Sequence, residues 1–276
     1  MNHGLWTYAI EAVPPLRRRG KRVEDWPGSL RFRFGRPGTG MKILAACFAF
    51  NEGEKIARTI ARHPRERSYD LLVMDDGSTD GSVETLASPD LLILRNARNQ
   101  GIGSAMKRVF EFSLENGYDL LIIQAGNDKD DPAEIPRLLA PILSEQADFV
   151  QGSRFLSGGG YGNTPAYRIL ATRFVHPVLF SFAVGKKLTE TTNGFRAFRT
   201  TLLRDPRLDW RQSWLDKYEL EPYLLFKAIR LGYRHVEVPV TKVYPPRQQG
   251  YTKMRPITGW WSILRPIFLL GLGLRK

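Results

Sequence analysis

The sequence predicts an α/β fold in which a mainly parallel sheet is flanked by helices. Four short apolar runs alternate with segments of helical length, and acidic loops follow the second and the fourth run. Short buried strands that alternate with helices are typical of parallel sheets with right-handed crossovers. Ligands bind at the carboxyl ends of the strands in such sheets, so both acidic loops lie where a site is expected.

The predicted elements follow one another closely after Met41. The four apolar runs, each of strand length, cover 42–49, 70–74, 91–94 and 119–124. Helices are predicted from about 51 to 63, over 103–116, from Pro132 onwards, and in a segment that ends near 231. Pro132 suits the first position of a helix, because proline has no amide hydrogen to donate there.

Composition excludes several functional classes. Cys47 is the single cysteine and the four histidines are scattered, which excludes a disulfide scaffold and a zinc or iron–sulfur site built on cysteines. Lys and Arg number 41 against 28 Asp and Glu, a net charge of +13. This excess indicates an anionic partner such as a phosphorylated substrate or an acidic membrane. No nucleic acid is expected, because the aromatic residues are not interleaved with the basic runs.

Three regions are predicted along the 276 residues. Residues 1–40 are a basic leader that we expect to be disordered, and Met41 is an alternative natural start. Residues 41–254 form the α/β domain, and 255–276 form an apolar C-terminal helix. No export signal is visible, which favours the cytoplasm.

The apolar stretch Ile257–Leu274 has only 18 residues and contains Arg265-Pro266. As a straight helix it would span about 27 Å, marginal for a bilayer core of about 30 Å. We therefore expect a helix at the cytoplasmic membrane interface, anchored by Trp260 and Trp261, with Phe174–Val184 as a second such helix. Alternatively, both helices pack on the core or on another subunit, and a homo-oligomer stays open.

Two acidic loops carry candidate chemistry. Asp75–Asp80 combines adjacent acids, a turn glycine and small hydroxyl residues, which suits hydrogen bonding to a ribose and a base, or else an N-cap in a tight turn. Asp128, Asp130 and Asp131 surround Lys129. Asp128 and Asp130 are candidate ligands of a hard cation, whereas Asp131 also suits the start of the next helix.

Three later loops each contain a cation and a glycine. They are Gly152-Ser153-Arg154, Thr192-Asn193-Gly194-Phe195-Arg196 and Arg247–Lys253. Arginine forks match phosphate geometry, although each charge taken alone is equally a solvated surface group. Their order along one chain makes the set informative.

The ordered motifs resemble those of inverting family 2 glycosyltransferases of GT-A fold, above all the dolichyl- or polyprenyl-phosphate sugar transferases. The resemblance covers about 41–254 and rests on these segments: Phe48–Glu52, Asp75–Asp80, Asn99–Ala105, Asp128–Pro132, Gly152–Arg154, Asn193–Arg196 and Gly250–Lys253. It implies a nucleotide-diphosphosugar donor, GDP- or UDP-linked, and a lipid-phosphate acceptor.

The resemblance also implies roles for single residues. The nucleoside pocket would be lined by Ala49, Asn51, Glu52, Asp75 and Asp76. Asp128 and Asp130 would hold Mg²⁺ or Mn²⁺ on the diphosphate. Arg154, Arg196 and Lys253 would face phosphates, with Arg168 or Arg173 as helpers. This sequence departs from the family pattern at Gly126, where the first acid of an Asp-x-Asp motif is usual, and at Asp130, where Gln is frequent.

The acceptor decides whether a general base is needed. A lipid monophosphate is largely ionised near neutrality, since its second pKa is about 6. A sugar hydroxyl would need a positioned carboxylate, for which Asp216, Glu219 and Glu221 are the candidates, although they also suit the polar start of a helix. We favour the phosphate acceptor. The alternatives are transfer to a hydroxyl of a glycan or glycolipid, and a catalytically degenerate protein that binds nucleotide or membrane.

Overall fold

The structure is a computed structural model that describes residues 40–86, 90–245 and 258–275. The strands in these ranges are β1 (Ile43–Ala49), β2 (Asp70–Asp75), β3 (Leu91–Arg95), β4 (Leu120–Ala125), β5 (Phe149–Ser153), β6 (Gly160–Gly162), β7 (Arg196–Arg199), β8 (His235–Pro239) and β9 (Thr241–Val243). The predicted leader and the predicted loop around Lys253 lie outside the described residues.

The α-helices of the same ranges are α1 (Glu54–Ala61), α2 (Ile102–Glu115), α3 (Ile135–Leu143), α4 (Ala166–Leu170), α5 (His176–Val184), α6 (Leu220–Arg230) and α7 (Thr258–Gly271). A π-helical turn, Ala171–Val175, joins α4 to α5. Pro132 opens a 3₁₀ turn, Pro132–Glu134, directly before α3, and Asp131 caps it by accepting the amide of Ala133.

The central sheet has seven strands in the order β3-β2-β1-β4-β7-β5-β8. The four strands predicted from the apolar runs are parallel to one another, which confirms the mainly parallel α/β prediction. β7 runs antiparallel between β4 and β5, and this reversal was not predicted. Because Ala49 pairs with Asp75 and Phe48 with Ala125, the loops after β1, β2 and β4 leave the sheet at one edge.

The core lies on both faces of the sheet. All seven residues of β1 are buried, and their side chains alternate between the two faces. Leu44, Ala46 and Phe48 join the cluster that contains α2 and α6, whereas Ala45 and Cys47 join the cluster that contains α1 and α3. A strand that is apolar on both faces therefore reads as one continuous apolar run.

The C-terminal helix α7 packs on the domain along one face. Ile267 and Leu270 are buried in the same core cluster as residues of α5 and α6, and Arg265 forms an ion pair of 2.9 Å with Glu219. The opposite face exposes Trp261, Phe268 and Leu272. None of the helices that the structure describes combines the length and apolarity needed to cross a membrane.

Candidate active site

A cavity of about 1120 Å³ opens at the edge where β1, β2 and β4 end. Its walls come from the ends of β1 and β4, from 99–106 at the start of α2, from the π-helical turn after α4, and from the first turns of α6 and α7. Small-molecule sites are typically clefts of about 300–1,000 Å³. This cavity is therefore large enough for a nucleotide sugar.

The loop after β1 forms one side of the cavity. Ala49, Asn51 and Glu52 all line it, as the resemblance implies for a nucleoside pocket. Asn51 has a left-handed backbone (φ 49°), and its side-chain oxygen accepts the amide of Thr79 at 2.8 Å. The amide of Asn51 donates in turn to Ser78 Oγ at 2.9 Å. These reciprocal hydrogen bonds fix the loops after β1 and β2 against each other.

The two acids at the end of β2 have different surroundings. Asp76 lines the cavity and accepts four N–H groups, from the side chains of Asn96 and Asn99 and from the amides of Gln100 and Gly101. Asp75 does not line it. Its carboxylate is fully buried and is held by the amide of Ser78 and by Arg95 Nε at 2.9 Å. Asp75 thus holds the turn, while Asp76 anchors the loop before α2.

Asp128 packs against the C-terminal end of α1, away from the cavity lining. Its carboxylate accepts hydrogen bonds from Arg58 Nε at 2.9 Å and from Arg62 at 3.0 Å. The backbone of Asp128 is left-handed (φ 60°), and its amide donates to Thr59 Oγ1. Asp128 is not among the residues that line the cavity. The predicted pair of metal ligands is therefore not brought together here.

Asp130 is buried and forms an ion pair with Lys242 Nζ at 2.5 Å, while its second oxygen, Oδ2, has no hydrogen-bond partner in the described part of the chain. Within the described ranges, no three carboxylate, histidine or cysteine side chains are grouped so that they could hold a metal ion. Mg²⁺ is usually held by one or two carboxylates together with substrate phosphates, and here the carboxylates of Asp128 and Asp130 are both engaged by cationic side chains. The described residues, as they are arranged, therefore do not fit a divalent cation.

Arg154 lines the cavity and is held from behind by Glu190. The two side chains are buried and 2.5 Å apart, and Glu190 also accepts the amide and hydroxyl of Thr192. Burial opposes both charges, yet the partner raises the pKa of Arg154 and lowers that of Glu190. Nη1 of Arg154 is buried without a hydrogen-bond partner among the described residues. Arg154 is therefore a charged, oriented group with donor capacity left over.

Arg196 is a structural residue in this arrangement. It is fully buried and donates to the carbonyls of Asn193 at 2.7 Å and Glu221 at 2.9 Å. It does not line the large cavity, and burial lowers its pKa. The resemblance implies that Arg196 faces a phosphate, and its buried position outside this cavity contradicts that expectation.

Of the three candidate bases, only Glu221 lines the cavity. Asp216 binds Lys107 Nζ at 2.5 Å, and Glu219 is buried against Arg265. Of the two helper arginines, Arg168 lines the cavity and donates to the Tyr244 hydroxyl, whereas Arg173 stacks over Phe155 and Phe174 outside it.

Two lysines that sequence reasoning did not assign also line the cavity. Lys129 lies over the ring of Tyr244, at 4.3 Å from the centroid, and Lys242 Nζ donates to Asn193 at 3.0 Å as well as to Asp130. Burial, followed by the charges of Lys242 and Arg168, lowers the pKa of Lys129 to about 7. The one sequence feature that could have indicated a role for Lys129 in the site was its position between the acids of its loop.

Cations outnumber acids in the cavity lining. The charged side chains of the lining are Lys55, Lys129, Arg154, Arg168, Lys217 and Lys242 against Glu52, Asp76 and Glu221. Glu190 and Asp130 pair with Arg154 and Lys242 from outside the lining, and with these two included, six basic side chains face five acidic ones, so the described lining keeps a positive balance. Such a lining favours an anion over a neutral ligand.

The family model described as glycosyl transferase family 2 matches residues 47–205. The chain is 34% identical over 220 residues to an undecaprenyl-phosphate mannosyltransferase of Micrococcus luteus, covering 78% of this chain and 88% of the relative. It is 30% identical to a polyprenol monophosphomannose synthase of Mycolicibacterium smegmatis, covering 77% and 81%.

Among solved structures, glucosyl-3-phosphoglycerate synthase from Mycobacterium tuberculosis, bound to Mn²⁺, UDP and phosphoglyceric acid, matches with a TM-score of 0.63. The match covers 86% of this chain and 80% of the synthase at 19% identity, and at that identity it supports the GT-A fold alone. The family model matches more than half of the chain, including the loops after β1, β2 and β4. The chain therefore belongs to glycosyl transferase family 2 and is a glycosyltransferase.

Proposed function

We propose that this protein transfers a sugar from a nucleotide-diphosphosugar, GDP- or UDP-linked, to a polyprenyl phosphate, with inversion at the anomeric carbon. The observation that carries the proposal is a cavity with a cationic lining that includes Thr172, shortly before α5, and the start of α7, two helices that expose apolar side chains. The lipid-phosphate acceptors in the names of the two bacterial relatives support the same substrate class.

In the proposed reaction, a phosphate oxygen of the acceptor attacks the anomeric carbon. A new C–O bond forms as the bond to the diphosphate breaks, and the nucleoside diphosphate leaves with the electron pair. Negative charge grows on the leaving group, and positioned cations stabilise it in a site that excludes water. Arg154 is suited to this, since Glu190 fixes its orientation while Nη1 keeps a hydrogen to donate.

A divalent cation, Mg²⁺ or Mn²⁺, is the cofactor that the resemblance implies, and Mn²⁺ in the mycobacterial synthase supports it. Such an ion would stabilise the leaving diphosphate as a Lewis acid. The carboxylates described here do not fit it, so every step above is assigned to side chains of the chain itself. Ala49, Asn51 and Glu52 remain the proposed nucleoside contacts, and Lys253 a proposed phosphate contact.

The second candidate is transfer to a hydroxyl, and the position of Glu221 in the cavity lining favours it. A hydroxyl needs a general base, whose removal slows a reaction by about 10²–10⁴-fold. If the acceptor is a phosphate, Glu221→Gln leaves most of the turnover intact. Asp216→Asn is the matched control, because Asp216 is paired with Lys107 and does not line the cavity.

A membrane surface is the proposed partner of the outer helices, with peripheral attachment at the cytoplasmic face. Phe182 on α5 is 91% exposed, and Leu272 beyond α7 is 71% exposed. Contiguous exposed apolar side chains beside basic residues favour an interfacial position. Sedimentation with phosphatidylglycerol vesicles tests this: Phe182→Ser should weaken binding about tenfold. Ile93→Ser, which removes an exposed apolar side chain from β3, should not.

The decisive experiment supplies purified protein with labelled GDP-mannose, UDP-glucose or UDP-N-acetylglucosamine and with undecaprenyl phosphate in detergent. We expect label in the lipid fraction with one nucleotide class, and none when undecaprenol replaces the phosphate. Label on undecaprenol would favour the hydroxyl reaction. No transfer from any donor by folded protein would favour the catalytically degenerate protein.

A further inference from the structure

Packing prevents a carboxylate at the position of Gly126. A Cβ atom there would lie 2.8 Å from the carbonyl oxygen of Phe48 and 2.6 Å from Ile56 Cδ1. The amide of Gly126 also donates to that carbonyl at 2.8 Å. A side chain at 126 would therefore require β1 to move. The packing of this chain therefore opposes an acid at position 126.

The next acid along the loop is already neutralised. Arg58 on α1 and Arg62 directly after its end both approach the carboxylate of Asp128, at 2.9 and 3.0 Å. A cation ligated by Asp128 would have to displace two guanidinium groups. Neither position of the family's Asp-x-Asp motif, 126 or 128, thus presents a carboxylate to the cavity.

Two ammonium groups stand on the cavity side of the same loop. The backbone of Lys129-Asp130 pairs with that of Lys242, through an isolated antiparallel bridge and a hydrogen bond of 2.9 Å from the amide of Val243. This pairing brings both lysines into the lining, and Asp130 and Asn193 fix Lys242 Nζ. Two lysine side chains therefore line the cavity beside the loop where the resemblance implies a cation, and their amino groups can donate to phosphate oxygens.

Arg154, which also lines the cavity, has a donor that an anion would suit. Its Nη1 is buried with no hydrogen-bond partner among the described residues, in a residue that is 4% exposed. Buried donors are paired in nearly all folded proteins, and charged ones most of all. A phosphate oxygen would supply the missing acceptor.

We propose that Lys129 and Lys242, together with Arg154, bind the diphosphate of the donor and supply the positive charge that a divalent cation would otherwise supply. Nucleoside diphosphate binding by this protein then does not depend on a divalent cation. The inference deepens the proposed function, on which the choice of a nucleoside diphosphate rests. It assigns the charge to lysines brought together by the strand pairing of β9 with the loop after β4.

The test measures binding of GDP and UDP by titration calorimetry, in EDTA and in Mn²⁺. We expect one nucleotide to bind in EDTA, with an affinity that changes less than about threefold when Mn²⁺ is added. Lys129→Met and Lys242→Met should weaken its binding at least tenfold while the corresponding nucleoside is affected much less. Lys187→Met is the control, because Lys187 is exposed and does not line the cavity.

The outcomes separate this inference from the proposed function. Binding that EDTA abolishes and Mn²⁺ restores would overturn the inference, as would lysine variants that fold, by circular dichroism, and bind like wild type. If Lys242→Met does not fold, Lys129→Met decides alone, because that variant leaves the buried ion pair of Lys242 with Asp130 in place. Metal-independent binding without sugar transfer to undecaprenyl phosphate would support the inference and overturn the proposed function.

Discussion

The two acidic turns of this protein begin alike in sequence and end differently in the structure. Each follows a buried parallel strand and opens at the same edge of the sheet. In the turn after β2, Asp76 lines the cavity and binds the loop before α2. In the turn after β4, Asp128 binds α1, and Lys129 takes the position in the lining.

Their neighbours explain the difference. The first turn faces N–H groups from a glycine-containing loop, which hold a carboxylate in place without adding charge. The second turn faces two arginines, Arg58 on α1 and Arg62 directly after its end. A carboxylate turns to the nearest fixed cations unless another group competes for it. Similar acidic strings therefore have different roles, depending on what packs beside them.

The largest effect in this comparison is expected from Asp76→Asn. The new amide group would face N–H donors, leaving buried groups unpaired, and should lower the free energy of unfolding by about 3 kcal/mol. Urea denaturation measures it, with the exposed Asp90→Asn as control. A loss under about 0.5 kcal/mol, the size typical of surface changes, would show that Asp76 does not anchor the loop.

Gly126→Ala should have the next largest effect. The Cβ would press on the carbonyl of Phe48, and overpacking of this kind costs about 1–3 kcal/mol. Gly160→Ala is the matched control, because a Cβ there would lie 3.8 Å from Thr241. Equal stability of the two variants in thermal unfolding would mean that the second turn does have room for an acid.

A change at His63 tests the packing on the face of the sheet that α1 and α3 cover. It is buried against Cys47 and Tyr69, and burial lowers its pKa to about 4. A histidine with a pKa below the unfolded value of about 6.5 stabilises the fold fully above pH 6.5, and this contribution falls as the pH drops towards 4.

Between pH 7 and pH 5.5 the wild type should therefore lose about 1 kcal/mol relative to His63→Gln, as measured by urea denaturation at both pH values. A constant difference between the two proteins would contradict the lowered pKa.

Asp128→Asn should have the smallest effect. Its ion pairs are partly exposed, with 39% of the Arg58 side chain and 17% of the Asp128 side chain accessible. Pairs of this kind are worth about 0.5 kcal/mol. The affinity for nucleotide, measured by calorimetry, should stay near that of the wild type. An affinity lowered tenfold or more would show that Asp128 does contact the ligand.

The sequence was sufficient for β1 to β4, for the edge at which they end, and for the family. Strands buried on both faces leave continuous apolar runs, and the motif order is local information. The placement of Ala49, Asn51, Glu52 and Asp76 in one cavity follows from the same strand order.

Only the tertiary structure decided where the remaining charges lie. Arg196 and Asp128 are polar residues in loop-like strings, and nothing local distinguishes a buried brace from a ligand-binding group. Lys242 enters the cavity through a pairing with a residue 112 positions earlier. Side-chain partners at such separations depend on packing between elements, which the residue pattern of a single segment does not encode.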